Sequence, residues 1–269
     1  MSQPLTALVD LLGLEKLEEN LFRGYSQDLG LPQLFGGQAL GQSISAASQT
    51  VDASRKVHSM HAYFLRPGDA QMPVMYQVDR VRDGGSFTTR RVTAIQKGRP
   101  IFFCSASFHA EEDSISHQQS MPAVPTPEEL DGSSQLIRFP GHPIEFLHLE
   151  DSPEPARKRL WFQLRGELPD DQALHRYLLA YSSDFNLLTT ALVPHGINFR
   201  SPEIQIASLD HALWFHRDVT VNDWLLYDME SPWAGSARGL ARGSIYNRQG
   251  QLIASVAQEG LTRRRQQQT

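Results

Sequence analysis

The chain has 269 residues, 40% of them apolar, and carries 25 Lys plus Arg against 30 Asp plus Glu for a formal charge of −5. That is enough for one large core or two smaller ones, and the absence of a basic stripe ahead of Arg263-Arg264-Arg265 argues against a nucleic-acid partner. The single cysteine, Cys104, excludes an intrachain disulfide, a zinc ribbon and a CxxC redox pair; it reads as an inert buried thiol and fits a reducing, cytoplasmic location.

In chain order, Met1 to Leu14 is apolar, broken by Asp10 and without a basic leader, so it reads as an amphipathic helix and not a secretory signal. No apolar run approaches the ~20 residues of a membrane helix, so no membrane insertion is expected. A second helix begins near Gly36-Gly37. Strands follow at Val57 to Leu65, around Tyr76, at Thr88 to Gln96 and at Pro100 to Phe108, with turns at Gly85-Ser86 and Lys97-Gly98. Glu111 to Pro155 is rich in Pro, Ser, His and acidic residues and reads as a partly ordered linker. A third helix starts near Pro169-Asp170-Asp171, and Leu174, Tyr177, Leu178, Tyr181, Phe185 and Leu188 mark one buried face. The strand order then returns: Ala207 to His216, a strand around Tyr227, Gly235-Ser236, Arg238 to Asn247, a turn at Gln249-Gly250, and Gln251 to Gly260. The chain closes on Gln-Gln-Gln-Thr and lacks a Ser-Lys-Leu type of peroxisomal address.

The strand blocks are offset by about 150 residues, the size of a small domain. The pattern predicts an α+β fold in two copies: an N-terminal domain 1–112, a linker 113–155 and a C-terminal domain 156–269. A long helix followed by antiparallel strands is stable when the sheet wraps the helix and covers its apolar stripe.

Three side chains converge on the predicted helix-sheet interface of the second copy. Asp184 falls on the edge of the buried helical stripe, where desolvation raises a carboxylate toward useful basicity; the alternative is that it caps a helix break beside Ser182, Ser183 and Asn186. Gln258 lies in phase with Leu252, Ala254 and Val256, and Ser208 with Ile204 and Ile206, so period-2 alternation turns both inward. Buried amides and hydroxyls demand partners, and a structural role stays open for each. Phe35-Gly36-Gly37-Gln38 opens the first long helix with backbone N–H groups unobstructed by Cβ, a possible oxyanion receiver; the alternative is a plain turn. There is no Gly-x-Ser-x-Gly elbow, no His-Glu-x-x-His and no dinucleotide fingerprint. His58 with His61, and His211 with His216, have spacings that do not converge, so they read as structural or substrate-lining residues and no metal is expected.

From Leu11 to Arg263 the chain resembles the acyl-CoA thioesterase II family, bacterial TesB type. The resemblance rests on Phe35-Gly36-Gly37-Gln38, HSMHAYFLRPG (58–68), DGGSFTTRR (83–91), YSSDFN (181–186), Pro194-His195-Gly196, IQIASLDHALWFHR (204–217), SARG (236–239) and AQEG (257–260). It implies a tandem double hotdog, acyl-CoA hydrolysis in fatty acid metabolism without a cofactor, and a homodimer or homotetramer. It also implies that Asp184, Ser208 and Gln258 hold the attacking water; Ser208 stands where the commonest bacterial form has Thr. Gly36, Gly37, Gln38, His58 and Arg238 are the expected substrate contacts. Two rivals are a hotdog hydratase or dehydratase, which would want a cooperating Asp-His pair, and a non-catalytic acyl-CoA binding module; the adjacent Asp210 and His211 should face opposite ways on a strand.

Overall fold

The computed structural model describes residues 2–31, 33–130, 136–149 and 156–265. The opening segment forms α1 (Gln3–Leu12), whose Leu5, Leu8, Leu11 and Leu12 are buried. A hairpin of β1 (Glu15–Glu18) and β2 (Leu21–Gly24) leads to α2 (Gly36–Ser48) and then to β3 (Lys56–Phe64), β4 (Val74–Asp83), β5 (Phe87–Gln96) and β6 (Arg99–His109). After β7 (Leu136–Arg138) and β8 (Ile144–His148), the plan repeats as β9 (Arg157–Leu164), α3 (Gln172–Ser183), β10 (Ile204–Ser208), β11 (Asp210–Phe215), β12 (Leu225–Gly235), β13 (Arg238–Tyr246) and β14 (Leu252–Arg264).

The described strands form one antiparallel sheet of 14, in the order β1-β2-β4-β5-β6-β3-β11-β14-β13-β12-β9-β8-β7, with β10 also on β14. From β2 to β9 the order is palindromic by role, so the two copies meet back to back through β3 and β11, with Asp210 opposite Tyr63 and Trp214 opposite Ser59. Phe64 N–H continues the seam by donating to Leu209 O at 2.9 Å. The internal repeat read in the sequence is therefore a structural two-fold, each copy a helix covered by its own antiparallel strands. Cys104 is buried in this core, and burial pushes its thiol up to about 12, as an inert cysteine requires.

Helix α2, GGQALGQSISAAS, is composed of small residues and is buried over most of its surface, which lets it lie between the sheet and α3. A Cβ on Gly37 would run into Tyr181 O, and one on Gly41 would stand 2.9 Å from Tyr177 O, so this pair one turn apart sets the approach of the helices. Gln42 stays in the interior because all its amide valences are used: Nε2 donates to Leu11 O and Tyr25 O at 2.6 and 2.9 Å, while Oε1 accepts from Tyr76 OH at 2.7 Å.

The structure differs from the sequence pattern in three places. The stretch 113–155, read as a linker, supplies β7 and β8; Ile144, Phe146 and Leu147 are buried, and β8 pairs with β9. Its Met121, Val124 and Leu130 cover Trp161, Leu226 and Tyr246 on the outer face of the C-terminal strands, and Trp161 Nε1 donates to Pro125 O at 2.9 Å. Residues 131–135 and 150–155 of that stretch lie outside the described residues. Helix α3 ends at Ser183, short of Phe185 and Leu188, because Asn186 adopts a left-handed φ of 67° and turns the chain into a 3-10 helix, Leu188–His195. The strand expected from Ala207 to His216 is broken between β10 and β11.

Replacing Gly41 by Ala should cost about 1–3 kcal/mol of unfolding free energy by forcing α2 from α3. Urea unfolding of Gly41→Ala with an unchanged midpoint would show that the helices do not need this close approach.

Candidate active site

Asp184 is the C-cap of α3. It sits at the helix break, and its side chain, 7% exposed, enters the interior. A carboxylate at a helix C-terminus meets the negative end of the dipole. Here the N-terminus of the antiparallel α2 lies alongside it, placing the missing Cβ of Gly36 2.6 Å from Asp184 Oδ2 and setting the Gly37 amide where it favours the charged carboxylate. Burial raises Asp184 to about 6, while hydrogen bonds from Gln258 and the Gly37 amide pull it the other way.

Gln258 reaches the same carboxylate from β14. Its Nε2 donates to Asp184 Oδ1 at 2.9 Å and to Ser208 Oγ at 2.7 Å. Both amide hydrogens are thus committed, and Ser208 accepts one, which leaves the Ser208 hydroxyl hydrogen free to donate elsewhere. Alternation on β14 holds from Ala254 through Val256 to Gln258, all buried, while Leu252, expected in the same phase, packs on the outer face with Trp161, Leu226 and Tyr246 beyond a register shift.

The break between β10 and β11 builds the third side of the site. Ser208 pairs with Gly260 and Ala212 with Ala257, so three residues on one strand, Leu209 to His211, face two on the other, Gln258 and Glu259. This is a β-bulge. It allows Ser208 and His211, which strict alternation would set on opposite faces, to point into one interior. The ladder is repaired from both strands, since Leu209 N–H donates to Glu259 O at 2.9 Å and Glu259 N–H donates to Asp210 Oδ1 at 2.7 Å. Asp210 is therefore spent on the backbone and faces away from His211, as the strand argument expected.

His211 is completely buried, and burial alone depresses it to about 3, so the ring is neutral. Its Nε2 lies 3.0 Å from Ser183 Oγ and its Nδ1 3.9 Å from Asp184 Oδ1. Sequence reasoning missed it as a neighbour of Asp184 because the bulge is not visible in residue spacing. It also missed an aromatic wall. Phe35 packs on Tyr181 and Phe185 at ring distances of 5.1 and 4.4 Å, Phe139 and Phe146 lie against Phe185 at 6.0 and 5.5 Å, and Phe64 lies 3.0 Å from a Cβ on Gly36. Phe139 comes from the stretch read as a linker.

Other expected contacts fall elsewhere. The Gln38 N–H donates to Phe35 O at 3.1 Å, and its side chain is held by Gln27 N, Tyr25 O and Gln42, a structural role. His58 bonds Ser107 Oγ at 2.9 Å and packs on Phe87 and His109. It lies six residues from Phe64 on β3, roughly 20 Å along the strand, and so stands apart from Asp184. Arg238 is half exposed at the β12–β13 hairpin, over the Trp233 ring and 3.3 Å from Glu259. His58 and His61 have unrelated neighbours, His61 packing on Trp214.

A family model described as acyl-CoA thioesterase matches residues 151–261, and one described as acyl-CoA thioesterase N-terminal domain matches residues 25–109. Over 98% of its length the chain is 40% identical to acyl-CoA thioesterase 2 of Haemophilus influenzae, spanning 99% of that protein. It is 41% identical to acyl-coenzyme A thioesterase 8 of Homo sapiens, over 94% of this chain and 88% of that one. Among solved structures, acyl-CoA thioesterase II TesB2 of Mycobacterium marinum superposes with a TM-score of 0.84 at 45% identity, covering 95% of this chain and 98% of that chain. A protein with the hotdog fold from Alicyclobacillus acidocaldarius superposes at 0.82 with 19% identity, a likeness of fold alone.

Because the folded-state value of Asp184 is raised, ionisation opposes folding: the penalty is absent near pH 4 and complete above about 6. Asp184→Asn should therefore be more stable than the parent at pH 8 by about 1–3 kcal/mol and should lose that advantage toward pH 4. Denaturant melts at the two pH values read this directly; a variant less stable than the parent at pH 8 contradicts the sign.

Proposed function

The chain belongs to the acyl-CoA thioesterase family, with two hotdog units in tandem, and from that premise we propose how its residues hydrolyse the thioester. The observation that carries the reading is the bonding of Asp184, Ser208 and Gln258 to one another on one buried amide. Asp184 accepts a proton from water as the water oxygen attacks the thioester carbonyl. Gln258 holds Asp184 and Ser208 in register, and the Ser208 hydroxyl, already an acceptor from Gln258, turns its hydrogen toward the water or the substrate oxygen.

The Gly37 amide has a part at both ends of the step. While Asp184 is ionised the amide stabilises that charge. Once Asp184 is protonated, the negative charge has moved to the substrate oxygen, and a donor at the α2 N-terminus, unobstructed by Cβ at Gly36 and Gly37, is available to it. Collapse of the tetrahedral intermediate breaks the carbon–sulfur bond, and the thiolate of CoA departs. Phe35, Phe64, Phe139 and Phe185 offer an apolar surface for the acyl chain beside the carboxylate, and Arg238 is assigned to the CoA phosphates. His58 is given no part in the reaction, since its neighbours are Ser107, Phe87 and His109. A cytoplasmic homodimer or homotetramer completes the reading, supported by the outer edges of β1 and β7 at the ends of the sheet.

The test is thiol release from a panel of acyl-CoAs. Asp184→Asn and Gln258→Ala should each lower kcat by about 10²–10⁴-fold, and the parent's rate should rise with pH through about 6 and level off above it, following ionisation of Asp184. Parent-like rates in both variants would reject these roles. Separately, Phe185→Ala should move the preferred substrate toward longer or bulkier acyl chains; an unaltered chain-length profile would remove Phe185 from the acyl surface.

A further inference from the structure

Ser183 lies between α3 and the bulge, and its hydroxyl donates to Ala180 O at 2.9 Å. A hydroxyl has one hydrogen, so toward His211 Nε2, 3.0 Å away, Ser183 Oγ is an acceptor. When that hydrogen is on Ala180 O, the ring hydrogen of neutral His211 is on Nε2 and Nδ1 carries a bare lone pair. That Nδ1 is buried and has no partner among the described residues, and the same holds for Gln258 Oε1 across the site. Nδ1 faces Asp184 Oδ1 at 3.9 Å, too far for a direct hydrogen bond and with an acceptor at each end.

Two acceptors so placed are satisfied by one molecule that donates twice. An oxygen about 2.8 Å from each would see them at roughly 90°, near the angle between the two O–H bonds of water. Resting on the reading of Asp184 as the base, we propose that His211 is a further catalytic residue: its Nδ1 accepts the second O–H of the attacking water while Asp184 accepts the first. One O–H bond breaks, its proton going to Asp184; the water oxygen forms the bond to the carbonyl carbon; the other O–H remains intact on His211, which stays neutral throughout. The consequence is orientation. With both hydrogens pinned, the oxygen lone pair has one direction left in which to point, which is the entropic part of catalysis. Ser183, one residue before the base, acts through His211 by fixing its tautomer and ring angle.

Two substitutions separate this role from packing. The amide of Gln occupies the place of a histidine Nε2 and that of Asn the place of Nδ1. His211→Gln should keep the Ser183 contact but lose the acceptor facing Asp184, lowering kcat for thiol release by about 10²-fold with KM and Tm near the parent's. His211→Asn should restore that acceptor and recover most of the loss. Parent-like kcat in His211→Gln, or equal losses in both variants, overturns the proposal. The parent protein supplies a check that needs no variant: ¹⁵N-histidine NMR should report His211 as the Nε2–H tautomer with unprotonated Nδ1 from pH 5 to 8, and an Nδ1–H ring overturns it. Failure of this proposal is distinct from failure of the reading beneath it, because Asp184→Asn and Gln258→Ala lose activity in the first case and keep it in the second.

Discussion

The carboxylate of Asp184 sits where the C-terminus of α3 lies beside the N-terminus of the antiparallel α2, and the local architecture answers to that contact. Alone at the C-terminus of α3 the charge would face a negative dipole in a desolvated interior. The N-terminus of α2 offsets this with the Gly37 amide, and it can come so near only because Gly36 and Gly37 carry no Cβ against Asp184 and Tyr181. The small residues of α2 thus act on Asp184 by way of packing: they let the helices approach, and the approach brings the Gly37 amide to a carboxylate that burial raises to about 6 and that Gln258 first, then Gly37, draw back down.

The fold is two-fold but the candidate site is single among the described residues, and strand register shows where the symmetry ends. Arg90 pairs with Ala106 on β5 and β6 as Ala241 pairs with Gln258 on β13 and β14, so Ala106 stands in the place of Gln258. Val57, opposite Phe108, takes the place of Ser208, opposite Gly260. The C-cap of α2 is Gln49 where α3 has Asp184. The corresponding volume in the first copy is closed by structural groups: buried Arg176 reaches from α3 to Val57 O and pairs with Asp218 at 2.8 Å, and buried Arg90 is saturated by Thr50, Thr89, Arg82 and Asp83. The N-terminal unit has kept the shape and contributes its helix terminus, while the polar side chains belong to the C-terminal unit.

One inserted residue organises the strand side of that unit. Without the bulge at Leu209 to His211, Ser208 and His211 would lie on opposite faces of the sheet, and Asp210 would point inward with one of them. With it, a hydroxyl and an imidazole both reach the interior, and the Asp210 carboxylate is turned to the Glu259 amide. Bulges that re-aim side chains in this way are a recurrent feature beside active sites.

Periodicity and composition determined much of this protein by themselves: two helices with strands in a repeated order, an inward Gln258 on an alternating strand, and Asp184 at the edge of a buried stripe. These are local properties, carried by turn residues, apolar spacing and capping groups such as Asp171, whose side chain accepts from Ala173 and Leu174 N–H. The family motifs added the pairing of Asp184, Ser208 and Gln258. Tertiary structure alone decided the rest. That α3 stops at Ser183 depends on one left-handed residue, Asn186. That 113–155 supplies strands and Phe139 depends on a sheet edge offered by β9, which no local pattern within the stretch announces. That His211 neighbours Asp184 and His58 does not depends on a ladder slip of one residue and on which end of β3 meets the α2 terminus, both set by packing between segments far apart in the chain.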